Sequence, residues 1–299
     1  MADPLAEIIQ LLRPQAIFAK GVSAAGPWAV SYSAFGHPGF CAVVDGQCRL
    51  SVDGVPSVVL SKGDFVLLPA TPAFTMSSLV PTPPKQLDAI EAAQDHKDEV
   101  RHGRVDGPPD VRLRGGYFAF GSPDAGLLVS LLPTMIHIHG VDRFSTLVSL
   151  FGEEAEAHRP GRDLVLSRLV EILLVEALRA VPGQDMPPCL LRGLADARVA
   201  KALHHMHGDT ERVWTVDALA KEAGLSRSAF FDRFSRVVGM RPMEYLLSWR
   251  MAVAKDLLRS GPVALDEVAR RIGYGSASTF STAFSRHVGI PPGRFARSG

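Results

Sequence analysis

The spacing of apolar positions changes twice along the chain. Asp3-Pro4 followed by Leu5, Ile8, Ile9 and Leu12 has helical spacing. Asp3 stands where a cap belongs and Pro4 at the first helical position. Between Trp28 and Phe74 short alternating runs replace that period. Residues 40–44 and 47–52 flank Asp45-Gly46, which predicts a two-residue hairpin. Further strands are expected at 55–60, after Asp53-Gly54, and at 65–68, after Lys62-Gly63-Asp64. Residues 78–110 are polar, Pro-rich and charged, and read as a long excursion with a helical turn near 87–92. Strands are expected again at 117–120 and 127–132. Short strands at regular spacing predict a small β-barrel or a double sheet.

From Asp142 the period is helical and remains so. Helices are expected at 143–158 and 163–181, separated by Pro160-Gly161. The second is apolar around most of its circumference, with only a narrow stripe through Arg168, Glu171 and Arg179. Such a helix must bury two sides, one of them against a second copy of the chain. Pro182-Gly183 and Pro187-Pro188 mark a linker, and everything after Ala195 is helical.

Charge then divides the chain. The 32 basic and 31 acidic residues give a net of only +1. Residues 198–299 hold sixteen Lys and Arg against nine Asp and Glu, a net of +7, so the remainder carries −6. No acidic residue follows Glu267. This asymmetry suggests a module for a polyanion joined to an acidic partner domain. Three cysteines among 299 residues are too few for a disulfide scaffold and fit a reducing cytoplasm. No apolar run is long enough for a membrane span, and the N-terminus lacks the basic stretch of a secretory signal. A cytoplasmic protein is expected.

The strongest signal is an internal repeat. Thr215 to Gly224, then Leu225-Ser226-Arg227, Phe230, Phe234-Ser235-Arg236, Gly239 and Pro242 recur as Ala264 to Gly273, then Ser276, Phe280, Phe284-Ser285-Arg286, Gly289 and Pro292. The offset is 49 residues up to the first glycine and 50 after Gly275. Each copy has the parts of a helix-turn-helix. Leu219-Ala220 or Val268-Ala269 packs the first helix, and Gly224 or Gly273 makes the turn. Ser226 or Ser276 caps the second helix, and two Phe four residues apart bury one face of it. The uninterrupted helical pattern at 243–259 spans about 26 Å at 1.5 Å per residue. That spacer suits two recognition helices one duplex turn apart, about 34 Å.

The segment Ile272-Gly-Tyr-Gly-Ser, Phe280, Phe284-Ser-Arg, Gly289-Ile-Pro-Pro292 resembles the signature of AraC/XylS-type transcription regulators, as does Trp214-Thr-Val through Phe230. Gly46-Gln-Cys48, Gly63-Asp64-Phe-Val-Leu-Leu-Pro69 and Gly116-Tyr-Phe118 are similar to the cupin-type sensor of one branch of that family. The expected architecture is therefore α+β. A cupin-like β-barrel sensor occupies 1–140, a helical connector and dimerisation region 141–195, and an all-α double helix-turn-helix domain 196–299. The resemblance implies a sequence-specific regulator responsive to a small molecule or a redox signal. Its partners would be double-stranded DNA, a second copy through 141–181, an effector and RNA polymerase. The alternative is a cupin-fold metal enzyme with a helical appendage.

DNA readers must lie on the exposed face near the start of each recognition helix. These are Arg227, Ser228, Phe231 and Asp232 in the first copy, and Ala277, Ser278, Ser281 and Thr282 in the second. The second set is small, so it suits thymine methyls and shape readout better than bidentate hydrogen bonding. Asp232 serves equally as a reader of cytosine or as an i, i+4 partner of Arg236. Arg236 and Arg286 are placed as phosphate clamps, with Arg227, Arg271 and Arg294 as lesser candidates.

The N-terminal half offers less chemistry. The second cupin motif would place a metal-binding His where Phe74 stands. His137-Ile138-His139 puts two imidazoles on one strand face, but no acidic ligand follows at the usual spacing, so no metal or other cofactor is assigned. His204, His205 and His207 read as capping or solvent-exposed residues. No nucleophile elbow, P-loop or zinc-protease motif occurs, which argues against an enzyme. In the expected hairpin Cys41 and Cys48 are diagonal neighbours, ~7–8 Å apart, too far for an unstrained disulfide. They read as small buried hydrophobes or as a thiol sensor, and Cys189 as a reactive thiol if exposed. Trp28, Phe40, Phe65, Phe74 and Tyr117 are the candidate lining of an apolar effector pocket, and each also reads as ordinary core.

Overall fold

The computed structural model describes residues 3–94, 99–121, 129–157, 159–180, 187–261 and 263–297. The described residues fall into two compact units. One comprises residues 14–121 and 133–181; the other joins residues 1–13 and 122–132 to 182–299. The N-terminal helix therefore groups with the C-terminal helices rather than with the strands that follow it in sequence.

The first unit is a double sheet. Strands β1 (Pro14–Ala25), β3 (Gly39–Asp45), β6 (Phe65–Leu68), β9 (Glu99–Gly103), β10 (Val111–Phe120) and β11 (Ile136–Ile138) form a six-stranded sheet in the order β11-β6-β3-β10-β1-β9. Strands β2 (Ala29–Tyr32), β4 (Gln47–Val52), β5 (Val58–Ser61), β7 (Phe74–Ser77) and β8 (Lys85–Leu87) form a five-stranded sheet in the order β5-β4-β7-β2-β8. The cupin-like β-fold expected from the sequence is present as two facing sheets, not a closed barrel. Their inner faces meet through Val30, Val43, Cys48, Leu50, Leu60, Val66, Leu68, Val111 and Leu113.

Strand β6 is buried along its whole length because both of its faces are covered. Val66 and Leu68 join the core between the sheets. Phe65 and Leu67, alternating with them, face helices α3 (Asp142–Glu156) and α4 (Arg162–Arg179). Phe65 stacks on Phe144 at 4.8 Å, and Phe40 meets Phe151 edge-on at 5.5 Å. From α4, Val170, Leu173 and Leu174 close over Phe40, Phe65 and Phe118.

Three strand expectations need correction. Residues 40–44 and 47–52 are consecutive strands, but they do not pair with each other. β3 pairs with β6 and β10, and β4 with β5 and β7. Gly46 turns the chain from one sheet to the other at φ +77°, and a Cβ there would strike the Asp110 carbonyl. Within 78–110, the described residues supply β8 and β9, parallel neighbours of β2 and β1, and helix α2 (Ala89–Gln94) between them. Residues 129–130 are helical rather than extended, while 127–128 lie outside the described residues.

The second unit is all-α. Helix α1 (Pro4–Leu12) is capped by Asp3, whose carboxylate accepts from the Leu5 and Ala6 amides. It packs against α6 (Ala197–Gly208) and α9 (Pro242–Arg259), behind α5 (Leu190–Ala195) in sequence. Glu7 of α1 reaches the buried His207 at 3.2 Å. His207 also contacts the Tyr245 hydroxyl at 2.6 Å and stacks on Trp249 at 3.8 Å. Histidine 207 is thus a core residue, contrary to the capping or exposed role expected of its cluster. Arg13, at the end of α1, pairs with Asp256 at 2.7 Å.

Candidate nucleic-acid interface and effector cavity

The repeat folds as two helix-turn-helix units joined by α9. In the first, α7 (Val216–Ala223) turns at Gly224 (φ +64°) into α8 (Arg227–Val238), and the Ser226 hydroxyl caps the Ala229 amide. In the second, α10 (Leu265–Arg271) turns through Gly273 (φ +75°) into α11 (Ala277–Val288), and Ser276 caps the Thr279 amide. Helix α12 (Pro292–Arg297) follows and sends Phe295 onto Phe284. Phe230, Phe234, Phe280 and Phe284 are all fully buried. Each recognition helix is thereby rolled into one orientation, with its opposite face left to solvent.

That solvent face carries the residues expected from the sequence. Arg227, Ser228, Phe231, Asp232 and Arg236 are exposed on α8. On α11, Ser278, Thr282 and Arg286 are exposed, and Ala277 and Ser281 are half-buried. The Thr282 hydroxyl donates to the Ser278 carbonyl of its own helix. Arg236 and Arg286 make no hydrogen bond or ion pair among the described residues, and Asp232 does not pair with Arg236. Other cations are committed elsewhere. Arg233 forks onto Asp196 through Nε, at 2.8 and 3.1 Å. Arg270 is held by Glu211 and Glu267, and Arg271 by Glu267. Those two guanidiniums pull the Glu267 carboxyl down to about 2. Arg227 shares an exposed pair with Asp217 at 3.4 Å.

In the other unit, a cavity of about 170 Å³ opens between the two sheets. Of the five aromatic residues expected to line it, Trp28, Phe74 and Tyr117 do so. Phe40 only borders it, because its ring packs with Phe65 and Phe151 on the helix side. Phe65 does not line the cavity; strand alternation points it at α3. Phe74 stacks on Tyr32 at 4.9 Å, so an aromatic pair occupies the place of the cupin metal-binding histidine. The sequence reading missed Tyr32, Met76 and Leu113, which come from strands on both sides, and His102, which stacks on Trp28. Lys20 brings a cation to the wall and donates to the Ala92 carbonyl. Burial, then the charges of Lys85 and Lys20, depresses the His102 pKa.

All three cysteines are free thiols, with Cys48 and Cys189 buried and Cys41 half-buried. Cys48 is fully buried in the core, and burial together with nearby Asp64 pushes its thiol up to about 12. Burial, then the neighbouring Cys48, raises the Cys41 thiol as well. Cys41 and Cys48 sit on opposite sheets, so the diagonal hairpin geometry does not apply. Cys189 is 3% exposed rather than open to solvent, and burial raises its pKa.

Residues 3–182 match a family model described as Cupin, and residues 219–298 one described as a helix-turn-helix domain. A putative AraC-like transcription regulator of Streptomyces lividans is 37% identical over 99% of this chain and 98% of its own. The chain is an AraC-like transcription regulator. A second putative AraC-like regulator, from Streptomyces antibioticus, is 35% identical over 99% of this chain and 98% of its own. The DNA-binding domain of AdpA, solved with a target DNA, is 27% identical, covering 34% of this chain and 92% of that one at a TM-score of 0.33. Membership in this family makes the regulator a sequence-specific DNA-binding protein, and its helix-turn-helix half is the DNA-binding part. Among the described residues, no helix is long and apolar enough to cross a membrane.

Proposed function

We propose that this AraC-like regulator is a cytoplasmic homodimer whose cavity binds a small apolar effector and so sets DNA occupancy. The observation that carries the reading is the cavity itself. Its wall is almost wholly apolar, and among the described lining residues Lys20 supplies the cation. A ligand with an apolar body and one hydrogen-bond acceptor or anionic group matches that lining. The protein acts by binding rather than by turnover, as its relatives' description as regulators supports.

DNA contact is assigned to α8 and α11. Arg227, Ser228, Phe231 and Asp232 read base edges, Ala277, Ser278, Ser281 and Thr282 read methyls and shape, and Arg236 and Arg286 hold phosphates. The second copy is met through the outer side of the helical pair. Val165, Ile172 and Leu150 remain exposed there although large and apolar, as a helix–helix interface requires. Contact with RNA polymerase then converts occupancy into a transcriptional response.

Val22→Phe, which fills the cavity from its half-buried wall, tests the effector assignment. A compound screen scored by thermal shift should find apolar acceptors that raise the wild-type Tm and leave Val22→Phe unmoved. At 100-fold excess over Kd, binding stabilises by about 2.7 kcal/mol. A compound that stabilises both proteins equally binds elsewhere and refutes the cavity assignment.

A further inference from the structure

We propose that Asp64, His137 and His139 form a site for a divalent first-row transition metal, separate from the effector cavity. The sequence alone could not assemble it. No acid follows His139 at the usual ligand spacing, but the sheet supplies Asp64, 73 residues upstream of His137. Strand β11 runs antiparallel to β6 with Ile136 opposite Leu67 and Ile138 opposite Phe65. The next step of that register sets His139 opposite Asp64. His137 lies two residues along the same strand and so on the same face.

The side chains converge accordingly. His137 Nε2 lies 3.0 Å from Asp64 Oδ2, and His139 Nδ1 lies 2.5 Å from Asp64 Oδ1. One donor atom from each residue lies within 4.8 Å of the others. Ligands bound at about 2.0–2.1 Å to one ion stand roughly 3 Å apart, which the two His–Asp separations approach. Asp64 is 1% exposed, and its Oδ2 already accepts the Ser61 amide at 3.0 Å. Its Oδ1 is buried without a hydrogen bond, although it faces His139. A carboxylate oxygen left so is costly unless a cation or a well-aligned donor meets it.

The donor set decides the chemical class. Two imidazoles and one carboxylate suit zinc, nickel, cobalt, copper(II) or iron(II), whereas calcium and magnesium prefer all-oxygen shells. The His139 side chain is 76% exposed, which leaves the outward coordination positions open to water or to a further ligand. None of the three residues lines the cavity between the sheets. The location bears on regulation: His139 is followed by Gly140 and Val141, and α3 begins at Asp142. A bound ion would tie the start of β6 to the entry of the helix whose Phe144 packs on Phe65.

Zinc titrated calorimetrically into the chelator-treated full chain tests this. One equivalent should bind, at least 10-fold more weakly to His139→Gln and not at all to His137→Gln/His139→Gln. His204→Gln/His205→Gln, altered at two imidazoles of the helical unit, should retain it. Cobalt should give a visible ligand-field band in the wild type that the His137→Gln/His139→Gln protein lacks. The exposed position of His139 keeps the single variant folded, and circular dichroism verifies this. If zinc binds wild type and His137→Gln/His139→Gln alike, or is lost only in His204→Gln/His205→Gln, the three residues are an ion-paired turn and the proposal fails. The cavity assignment is untouched by either result, because Val22→Phe reads it independently.

Discussion

Removing Arg236 and Arg286 tests the docking geometry through its salt dependence. Both guanidiniums stand on the solvent faces of the recognition helices, with no partner among the described residues to release. A phosphate contact contributes about 0.9 to the slope of log K against log salt. Raising salt fourfold therefore costs about 3.5-fold in affinity per contact, and about 12-fold for two. Arg236→Ala/Arg286→Ala should lose affinity for every DNA sequence at low salt, and its slope should fall by about 1.8. Arg270→Ala is the matched control, because Arg270 is already held by Glu211 and Glu267. Its slope should not change. Fluorescence anisotropy on a labelled duplex from 50 to 200 mM salt reads all three proteins. An unchanged slope in the double variant, or an equal drop in Arg270→Ala, refutes the assignment of phosphate contacts to the free arginines.

Other outcomes follow from the packing and titration of the core. Phe284→Ala opens a hole beneath α11 where the ring is fully buried against Phe280 and Phe295; a loss of about 3–5 kcal/mol is expected in denaturant unfolding. His207 is held neutral, since burial lowers its pKa against the opposing pull of Glu7, with His204 lowering it further. The unfolded chain therefore binds the proton more readily below about pH 6.5, so His207's contribution is full above that pH and is lost as pH falls. The wild-type Tm should drop more steeply between pH 7.5 and 5 than that of His207→Gln. Cys48 and Cys189 are buried with raised pKa values, so both should resist a thiol reagent in the native protein and react once it is unfolded.

The helix-turn-helix half was readable because its signals are local. Capping serines, turn glycines and paired phenylalanines each act within about ten residues, and two copies confirmed one another. The cupin half was readable only as far as its strands. Whether β3 pairs with β4 depends on β10, some seventy residues away, and on Gly46 carrying the chain across to the other sheet. Phe65 lies outside the cavity for the same reason. Its face is fixed by α3, not by anything adjacent to it in sequence. The carboxylate beside His137 and His139 was hidden because β-sheet register, rather than sequence spacing, brings Asp64 to it. Charge showed the opposite lesson: the near-neutral total concealed a +7 segment that only a division of the chain reveals.

Selection of duplexes from a random library by the full-length protein at physiological salt tests the central claim most directly. Two rigidly joined recognition helices predict an enriched site with two elements centred one helical turn apart, about 10–10.5 base pairs. Substituting Arg227 and Ser228 should relax one element, and substituting Ser278 and Thr282 the other. Enrichment of a single element indifferent to the second copy, or no enrichment over the starting library, would contradict the account.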